Sequence, residues 1–192
     1  TTNPLGSTGS FVRAVASSSG SVSKFSPITG YTGSTEFYTS FKVMFGDAAG
    51  GSTATSGSWS FYQGAGAMYG DASDFTGAQV FTGLRFTYGA GGAIAVTYRG
   101  GGSFVNTGLS PNSLSSSTVY TIEIVGNNKT SGAINYTYNG VAQSVAVQKF
   151  DLYINGSKAG DDLRKQRFLQ EQIWYLKHLS VSTAPLMWQI FL

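Results

Sequence analysis

Hydrophobic and polar residues alternate along most of this chain in short segments, which are separated by turns rich in glycine, serine and asparagine. The clearest alternation covers residues 37–45. One set of alternate positions there consists of Phe37, Thr39, Phe41, Val43 and Phe45. Successive side chains of a β-strand point to opposite faces of its sheet. The segment therefore predicts a strand with one face in the core and the other half exposed.

The same pattern predicts about ten short strands before residue 160. They lie at residues 11–15, 21–25, 37–45, 58–62, 80–88, 93–99, 118–125, 133–138, 141–147 and 150–154. Asn139-Gly140 is the strongest hairpin signal in the chain, because these two residue types tolerate the positive φ that a two-residue turn requires. We also expect 80–88 and 93–99 to pair as a hairpin. No helix signature precedes residue 160, so the pattern predicts an all-β sandwich or barrel of antiparallel strands.

A family resemblance refines this expectation. The run Phe150-Asp151-Leu152-Tyr153-Ile154-Asn155-Gly156-Ser157-Lys158, preceded by Val119-Tyr120-Thr121-Ile122-Glu123-Ile124, resembles the later strands of concanavalin A-like and laminin-G-like jelly rolls. Similar modules occur in secreted bacterial surface proteins. The resemblance covers residues 11–160. It implies an antiparallel two-sheet jelly-roll sandwich of the lectin type and, for function, glycan binding.

The last thirty residues differ in composition from the rest of the chain. Residues 163–192 contain no glycine, whereas the preceding body is rich in it. Leu169, Ile173 and Leu176 have the spacing of one helix face, which predicts a C-terminal helix within 164–179. A second interpretation is a non-native tail produced by a shifted reading frame, which the encoding DNA would decide. We therefore divide the chain into a sandwich domain, 1–162, and an atypical tail, 163–192.

Charge and composition narrow the classes of partner. Residues 1–162 hold eight basic and eight acidic residues, so the net charge of +3 comes entirely from the tail. A neutral body does not form the phosphate-tracking surface that nucleic acids require, so we expect no nucleic-acid partner. No apolar run is long enough for a transmembrane segment. Cysteine is absent, and only 11% of residues are charged. Such a composition favours a secreted protein at or outside the cell surface.

The sequence argues against catalysis. Glycoside hydrolysis needs two carboxylates that face each other across a cleft. The strands carry their acids singly, as Glu36, Glu123 and Asp151, and none recurs two positions later. The single histidine, His178, lies in the tail, which disfavours a catalytic triad. We therefore expect no enzyme, with a jelly-roll glycoside hydrolase as a remaining alternative.

Sugar binding needs aromatic faces for pyranose rings with polar partners around them. Residues of these types on or beside glycine-rich loops are Trp59, Tyr62, Tyr69, Tyr98, Arg99, Asn127 and Asn128. Buried tryptophans are common in sandwiches, so a core position for Trp59 is equally compatible with the pattern. We expect Tyr62, Tyr69 and Tyr98 on the outside. The sequence therefore predicts a non-catalytic carbohydrate-binding or adhesion module that recognises a glycan or cell-surface polysaccharide.

Two further expectations concern calcium and self-association. Loop carboxylates suffice for a calcium site, and the candidates are Asp71, Asp74, Asp161 and Asp162. The alternative to each is an ordinary turn-forming aspartate. The rival to glycan binding is a structural surface-layer or filament subunit whose partners are other copies of itself, since low charge and hydroxyl-rich surfaces suit both roles.

Overall fold

A computed structural model describes residues 3–6, 11–15, 24–25, 34–46, 55–64, 80–109, 113–164, 173–179 and 185–191 of the chain. The strands in these ranges are β1 (Val12–Val15), β2 (Lys24–Phe25), β3 (Glu36–Phe45), β4 (Ser58–Gly64), β5 (Val80–Tyr88), β6 (Ala93–Gly100), β7 (Ser103–Asn106), β8 (Leu114–Ser115), β9 (Val119–Asn127), β10 (Ile134–Tyr138), β11 (Val141–Val145), β12 (Lys149–Ile154), β13 (Ser157–Arg164), β14 (Ile173–Leu179) and β15 (Pro185–Phe191). A single 3-10 turn, Ala90–Gly92, joins β5 to β6.

These strands form two sheets and a separate hairpin, and every pair is antiparallel. Sheet A has the order β1-β15-β3-β9-β12-β13. Sheet B has the order β2-β14-β4-β5-β6-β7, and β8 also pairs with β6. The hairpin consists of β10 and β11. The predicted all-β fold of two antiparallel sheets is confirmed.

One hydrophobic cluster fills the space between the sheets. Sheet A contributes Phe41, Val43, Phe45, Ile122, Ile124, Phe150 and Leu152, and sheet B contributes Trp59, Phe61, Leu84, Phe86, Ile94 and Val96. Aromatic pairs connect the two sheets: the ring centroids of Phe41 and Phe61 lie 4.6 Å apart, and those of Phe45 and Phe86 lie 5.0 Å apart. The alternation that predicted β3 is therefore the alternation between core and outer face.

Two asparagine-glycine pairs make the tight turns that the sequence suggested. Asn139 and Gly140 both have positive φ, 48° and 78°, and connect β10 to β11. Asn155 and Gly156, at 49° and 79°, connect β12 to β13 in the same way. Positive φ at both central residues matches the right-handed twist of the flanking strands. The second turn thus opens a further strand rather than ending the series of strands.

The expected C-terminal helix is wrong where the structure describes that segment. Ile173–Leu179 is strand β14, which pairs with β2 and β4 in sheet B. Pro185–Phe191 is strand β15, which pairs with β1 and β3 in sheet A. An extended segment next to open sheet edges pairs its backbone groups with them, and this pairing outweighs the helical spacing of three apolar side chains. Within the described ranges, no helix has the length and apolar character needed to cross a membrane.

The hairpin packs on the outer face of sheet A through a group that we call the hairpin cluster. Its members are Tyr136 and Tyr138 from the hairpin and Glu123, Asp151, Tyr153 and Lys158 from sheet A. The rings of Tyr138 and Tyr153 are stacked, with centroids 3.7 Å apart. The Glu123 carboxylate accepts hydrogen bonds from Tyr38 and Tyr138, both at 2.5 Å. This cluster anchors the hairpin to sheet A.

Asp151 lies at the centre of the hairpin cluster and is completely buried. Its carboxylate accepts hydrogen bonds from Tyr136 Oη at 2.5 Å, from Lys158 Nζ at 2.8 Å and from the backbone N–H of Asp162 at 2.8 Å. Burial raises the pKa of Tyr136, and the hydrogen bond to Asp151 raises it further. For Lys158, burial lowers the pKa, but the hydrogen bonds to Asp151 and Asp161 outweigh it and the net shift is upward.

We expect a Tyr136→Phe variant to lose less stability at alkaline pH than the native chain. A group whose pKa is raised on folding contributes stability that is complete below its unfolded pKa, about 10 for tyrosine, and is lost as the pH rises through the folded value. The variant lacks this titrating group, although it starts lower by about 1 kcal/mol for the lost hydrogen bond. Urea unfolding midpoints measured between about pH 8 and pH 11 test this. Parallel declines in the two proteins would contradict it.

Candidate functional site

The outer face of sheet B carries the described arginines of that sheet. Leu84 and Phe86 of β5 point into the core, so Arg85 between them points outward. On β6, Val96 and Tyr98 pack against the core, which turns Thr97 and Arg99 outward. We call the group of Ser60, Arg85, Thr97, Arg99 and Phe104 the arginine face; Ser60 is completely buried and the other four are partly exposed.

Strand register brings these five side chains together. Ser60 of β4 pairs with Arg85, which pairs with Thr97. Arg99 pairs with Phe104 of β7. Paired residues on neighbouring strands share a face and lie close together, with Cβ atoms about 5 Å apart. The arginine face is therefore built on four adjacent strands of one sheet rather than on loops.

Phe104 holds both guanidinium groups. The Cζ atom of Arg85 lies 3.6 Å from the centroid of the Phe104 ring, and that of Arg99 lies 5.7 Å from it. Both distances are within the range of cation–π attraction. Tyr62 packs on the other side of this group, with its ring centroid 6.4 Å from that of Phe104. The half-buried Phe104 ring thus positions two charges on one patch.

Gly83 allows the close packing beneath this patch. A Cβ atom at Gly83 would lie 3.0 Å from Arg99 Cβ and 3.0 Å from two ring atoms of Tyr62. Such contacts are tighter than nearly all real ones, so an alanine there would push the tyrosine and the arginine apart. The absence of a side chain at this one position lets both residues lie against β5.

Several polar atoms of the arginine face are buried and have no hydrogen-bond partner among the described residues. They are Ser60 Oγ, Arg85 Nε, Thr97 Oγ1 and Arg99 Nε. Leaving a buried polar group unsatisfied costs about 1–3 kcal/mol. Most buried polar groups in folded proteins are satisfied, so a cluster of exceptions on one face requires an explanation. Because these atoms have almost no exposed surface, the groups that this face presents to solvent are the partly exposed remainder of the two arginines and of Thr97.

The arginine face has no carboxylate of its own. Arg85 and Arg99 are the only charged residues between Asp74 and Glu123 in the sequence. The ion pairs found among the described residues join Lys129 to Glu36 and Lys158 to Asp151 and Asp161, and neither arginine takes part in them. Both arginine side chains are partly exposed. The face is therefore positively charged and uncompensated within the described structure.

The aromatic residues predicted as ligand contacts are mostly elsewhere. Trp59 is fully buried in the core, as the alternative interpretation allowed. Tyr62 is on the outer face of sheet B, but only 2% of it is exposed, because it packs against Val80 and Phe104. Tyr98 points inward and its ring meets Phe150 edge to face at 6.0 Å. The expected outside positions of Tyr62 and Tyr98 are thus wrong, and Tyr69 lies outside the described residues.

The two predicted asparagines are at the other sheet. Asn127 is completely buried at the end of β9, and its amide donates to the backbone oxygens of Gly132 and Val145. Asn128 is half-buried, and its backbone oxygen accepts a hydrogen bond from Gln148. They organise the turn between β9 and β10 and are remote in register from Arg99. Of the seven predicted ligand residues, Arg99 alone is placed on the arginine face by the described structure.

The acids proposed as calcium ligands do not form a site in the described part of the chain. Asp161 pairs with Lys158, and Asp162 accepts a hydrogen bond from the backbone N–H of Ala146 at 2.8 Å. Across the described ranges, no three residues among histidine, cysteine, aspartate and glutamate are clustered as metal ligands. Asp71 and Asp74 lie outside the described residues. The donor set that is described does not fit a calcium ion, which takes six to eight oxygens.

Comparisons with solved structures identify the architecture. One match is a sialidase, with a TM-score of 0.51 and 10% identity over 93% of this chain, which corresponds to 14% of the sialidase chain. The chain has a concanavalin A-like fold. A second match is the globular domain of T. cruzi calreticulin, with a TM-score of 0.48 and 6% identity over 88% of this chain and 67% of that chain. A third is the potassium-bound carbohydrate recognition domain of Emp46p, with a TM-score of 0.47 and 11% identity over 99% of this chain and 94% of that chain.

The similarity to the sialidase shows the fold alone, because the identity is 10% and this chain spans only 14% of the sialidase chain. No family model and no curated protein matches the sequence. The resemblance to concanavalin A-like jelly rolls predicted from residues 119–124 and 150–158 is confirmed at the level of the fold. What the protein binds has to be argued from the arginine face itself.

Proposed function

We propose that this chain is a non-catalytic carbohydrate-binding module that holds a glycan on the arginine face, in a secreted or cell-surface setting. The observation that carries the proposal is the pair of partly exposed guanidiniums stacked around Phe104 on an open sheet face. Sugars are recognised by an aromatic ring beneath the apolar side of a pyranose and by fixed hydrogen-bond donors at its rim. The arginine face offers such donors on rigid strands, where the Phe104 ring positions the two guanidiniums.

Polar side chains beside the arginines extend the donor and acceptor set. Thr97 lies between Arg85 and Asn106 in the register, and Asn106 is exposed. A hydroxyl both donates and accepts hydrogen bonds, and an amide offers one acceptor and two donors. These groups match the mixed donor and acceptor character of sugar hydroxyls. A row of this kind across three strands suits an extended polymer better than a compact small molecule.

The placement of the acids supports binding without hydrolysis. Glu123 and Asp151 are on the outer face of sheet A and belong to the hairpin cluster. Asp151 is completely buried and has three partners, so it does not reach a substrate. The described strands β4 to β7 carry no acid at all. The pair of carboxylates that hydrolysis needs is therefore missing from the proposed binding face.

A Phe104→Ala variant is expected to bind its glycan about ten-fold more weakly than the native chain. The substitution removes the aromatic ring against which both guanidiniums lie. A glycan array followed by isothermal titration calorimetry with the best binder measures the effect. The matched control is Tyr38→Ala, which removes an exposed aromatic ring from sheet A and should leave the affinity unchanged.

Three outcomes would contradict this proposal. The first is equal binding by the native chain and Phe104→Ala. The second is release of reducing ends or of unsaturated sugars from a bound polymer, which would show catalysis. The third is ordered self-association in sedimentation runs together with an empty array, which would favour the structural-subunit alternative.

A further inference from the structure

We infer that the glycan held by the arginine face is acidic, and specifically that it carries carboxylates, as polymers of uronic acids do. The inference rests on the proposed function and specifies the ligand class of the same site. Its starting point is that the only two charges in residues 75–122 are both arginines and both reach this one face. The sequence and the fold thus concentrate positive charge where a neutral sugar would need none.

The chemistry of arginine favours a carboxylate as the counterpart. A guanidinium remains protonated at all physiological pH values and presents its N–H donors in a planar fork. Stacking of Arg85 on Phe104 uses the flat face of the guanidinium, so the donors along its edge are left for other partners. A carboxylate accepts two parallel hydrogen bonds from such a fork, which gives both strength and a fixed orientation.

The anion has to come from outside the described structure. Neither arginine takes part in the ion pairs found among the described residues, and both side chains are partly exposed. Keeping two like charges around one ring raises the energy of the free protein, and an incoming carboxylate offsets that repulsion. This cost is absent from a face built for neutral sugars. Charge complementarity therefore selects an acidic polymer.

The two arginines suit a uronate polymer better than a nucleic acid. Nucleic-acid binding depends on many phosphate contacts along a basic track. Residues 75–122 offer two cations, and residues 1–162 carry no net charge. Two guanidinium forks on neighbouring strands, both positioned by Phe104, are enough for one or two carboxylates in a polysaccharide.

The test compares polymers that differ only in the carboxylate. Polygalacturonate is titrated against the native chain beside the same polymer after chemical reduction of its carboxyl groups to alcohols, with dextran sulfate and a panel of neutral polysaccharides in parallel. We expect the reduced polymer to bind at least about ten-fold more weakly, and binding to polygalacturonate to weaken as salt rises.

Three variants connect the effect to the face. Arg85→Gln and Arg99→Gln should each weaken binding to polygalacturonate by about ten-fold. Arg99→Lys keeps the charge but loses the planar fork, so its loss should be smaller but measurable. Arg164→Gln, an exposed arginine on β13 of sheet A, is the matched control and should bind normally. Urea unfolding of every variant verifies that the fold is intact.

The outcomes separate this inference from the proposed function. Equal binding of polygalacturonate and its reduced form, or tighter binding to a neutral polysaccharide that Phe104→Ala abolishes, overturns the acidic ligand and leaves glycan binding in place. Dextran sulfate binding at least as tightly as polygalacturonate overturns the preference for carboxylates. No binding to any polymer of the panel overturns both.

Discussion

Phe45→Ala is expected to lower the free energy of unfolding by about 4 kcal/mol, the largest effect of any single change considered for this chain. Phe45 is completely buried. The centroid of its ring lies 5.0 Å from that of Phe86 and 6.2 Å from that of Tyr88, both in the opposite sheet. Truncation removes the transfer free energy of the ring and leaves a cavity between two sheets whose backbones are fixed by hydrogen bonds. Urea unfolding followed by tryptophan fluorescence measures the change.

The control for Phe45 is on the same strand and the opposite face. Tyr38→Ala removes a ring of similar size that is 58% exposed, so it should cost about 1 kcal/mol or less, mainly for the hydrogen bond to Glu123. The contrast tests the two-sheet architecture directly. Similar losses at the two positions would mean that β3 does not separate a core face from an outer face, and the assignment of the arginine face would lose its basis.

The pattern of the sequence predicted the central strands because their hydrophobic positions obey a period of two. Strand β3 and the hairpin of β5 and β6 match the expected segments closely. The pattern does not reveal irregularities within a strand. A bulge occurs at the first residues of β5, between the pairs Gln63–Thr82 and Gly64–Val80. Phe81 packs into the core there, although strict alternation with Leu84 and Phe86 would point it outward. A bulge adds one residue to one strand and changes the parity that follows.

Strands at or next to the sheet edges were harder to predict than central ones. Ser157–Arg164 is largely polar, yet it forms β13, because it follows a tight turn and its backbone pairs with β12. The apolar residues of Ile173–Leu179 are compatible with a helix or a strand, and its pairing with β4 is what makes this segment a strand. Side-chain periodicity carries little information where hydrogen bonding of the backbone is the main determinant.

The candidate site was only partly predictable. Tyr98 and Arg99 were both expected at the ligand, but adjacent residues of a strand face opposite sides, so one of them had to point to the core. The parity of Ile94 and Val96 in β6 already assigned Tyr98 to the inside. The stretch between Asp74 and Glu123, which holds two arginines and no acid, was an available signal for Arg85. No sequence signal indicated Phe104, because its role depends on the register of β6 and β7.

The two outer faces of the sandwich differ in how their charges are satisfied. On sheet A, the carboxylates of Glu123 and Asp151 are matched by tyrosine hydroxyls and a lysine within the protein. On strands β4 to β7 of sheet B, the charged residues are two arginines, and neither pairs with a carboxylate among the described residues. A satisfied polar cluster contributes to folding, whereas an unsatisfied one is available for binding. This difference is why we assign stability to the hairpin cluster and recognition to the arginine face.

Asp151→Ala is expected to lower the free energy of unfolding by about 3 kcal/mol, a value typical of breaking a buried ion pair by removing one partner. The change leaves the Asp162 backbone N–H and the Tyr136 hydroxyl without their acceptor, and it removes the buried counterion of Lys158. The hairpin of β10 and β11 should lose its protection in hydrogen exchange before the rest of the molecule, because Asp151 is one of its main attachments to sheet A. Urea unfolding and amide hydrogen exchange measure the two effects.

The matched control for Asp151 binds the same lysine from the surface. Asp161 also pairs with Lys158, but 69% of its side chain is exposed, so Asp161→Ala should cost less than about 1 kcal/mol. A double variant, Asp151→Ala with Lys158→Met, removes both charges of the buried pair and should recover part of the loss, since no charge then remains unpaired. Equal losses for the two aspartate variants would contradict the stabilising role of the buried Asp151. Glycan affinity that falls with Asp151→Ala while the sandwich stays folded would show that the hairpin cluster does more than attach the hairpin to sheet A.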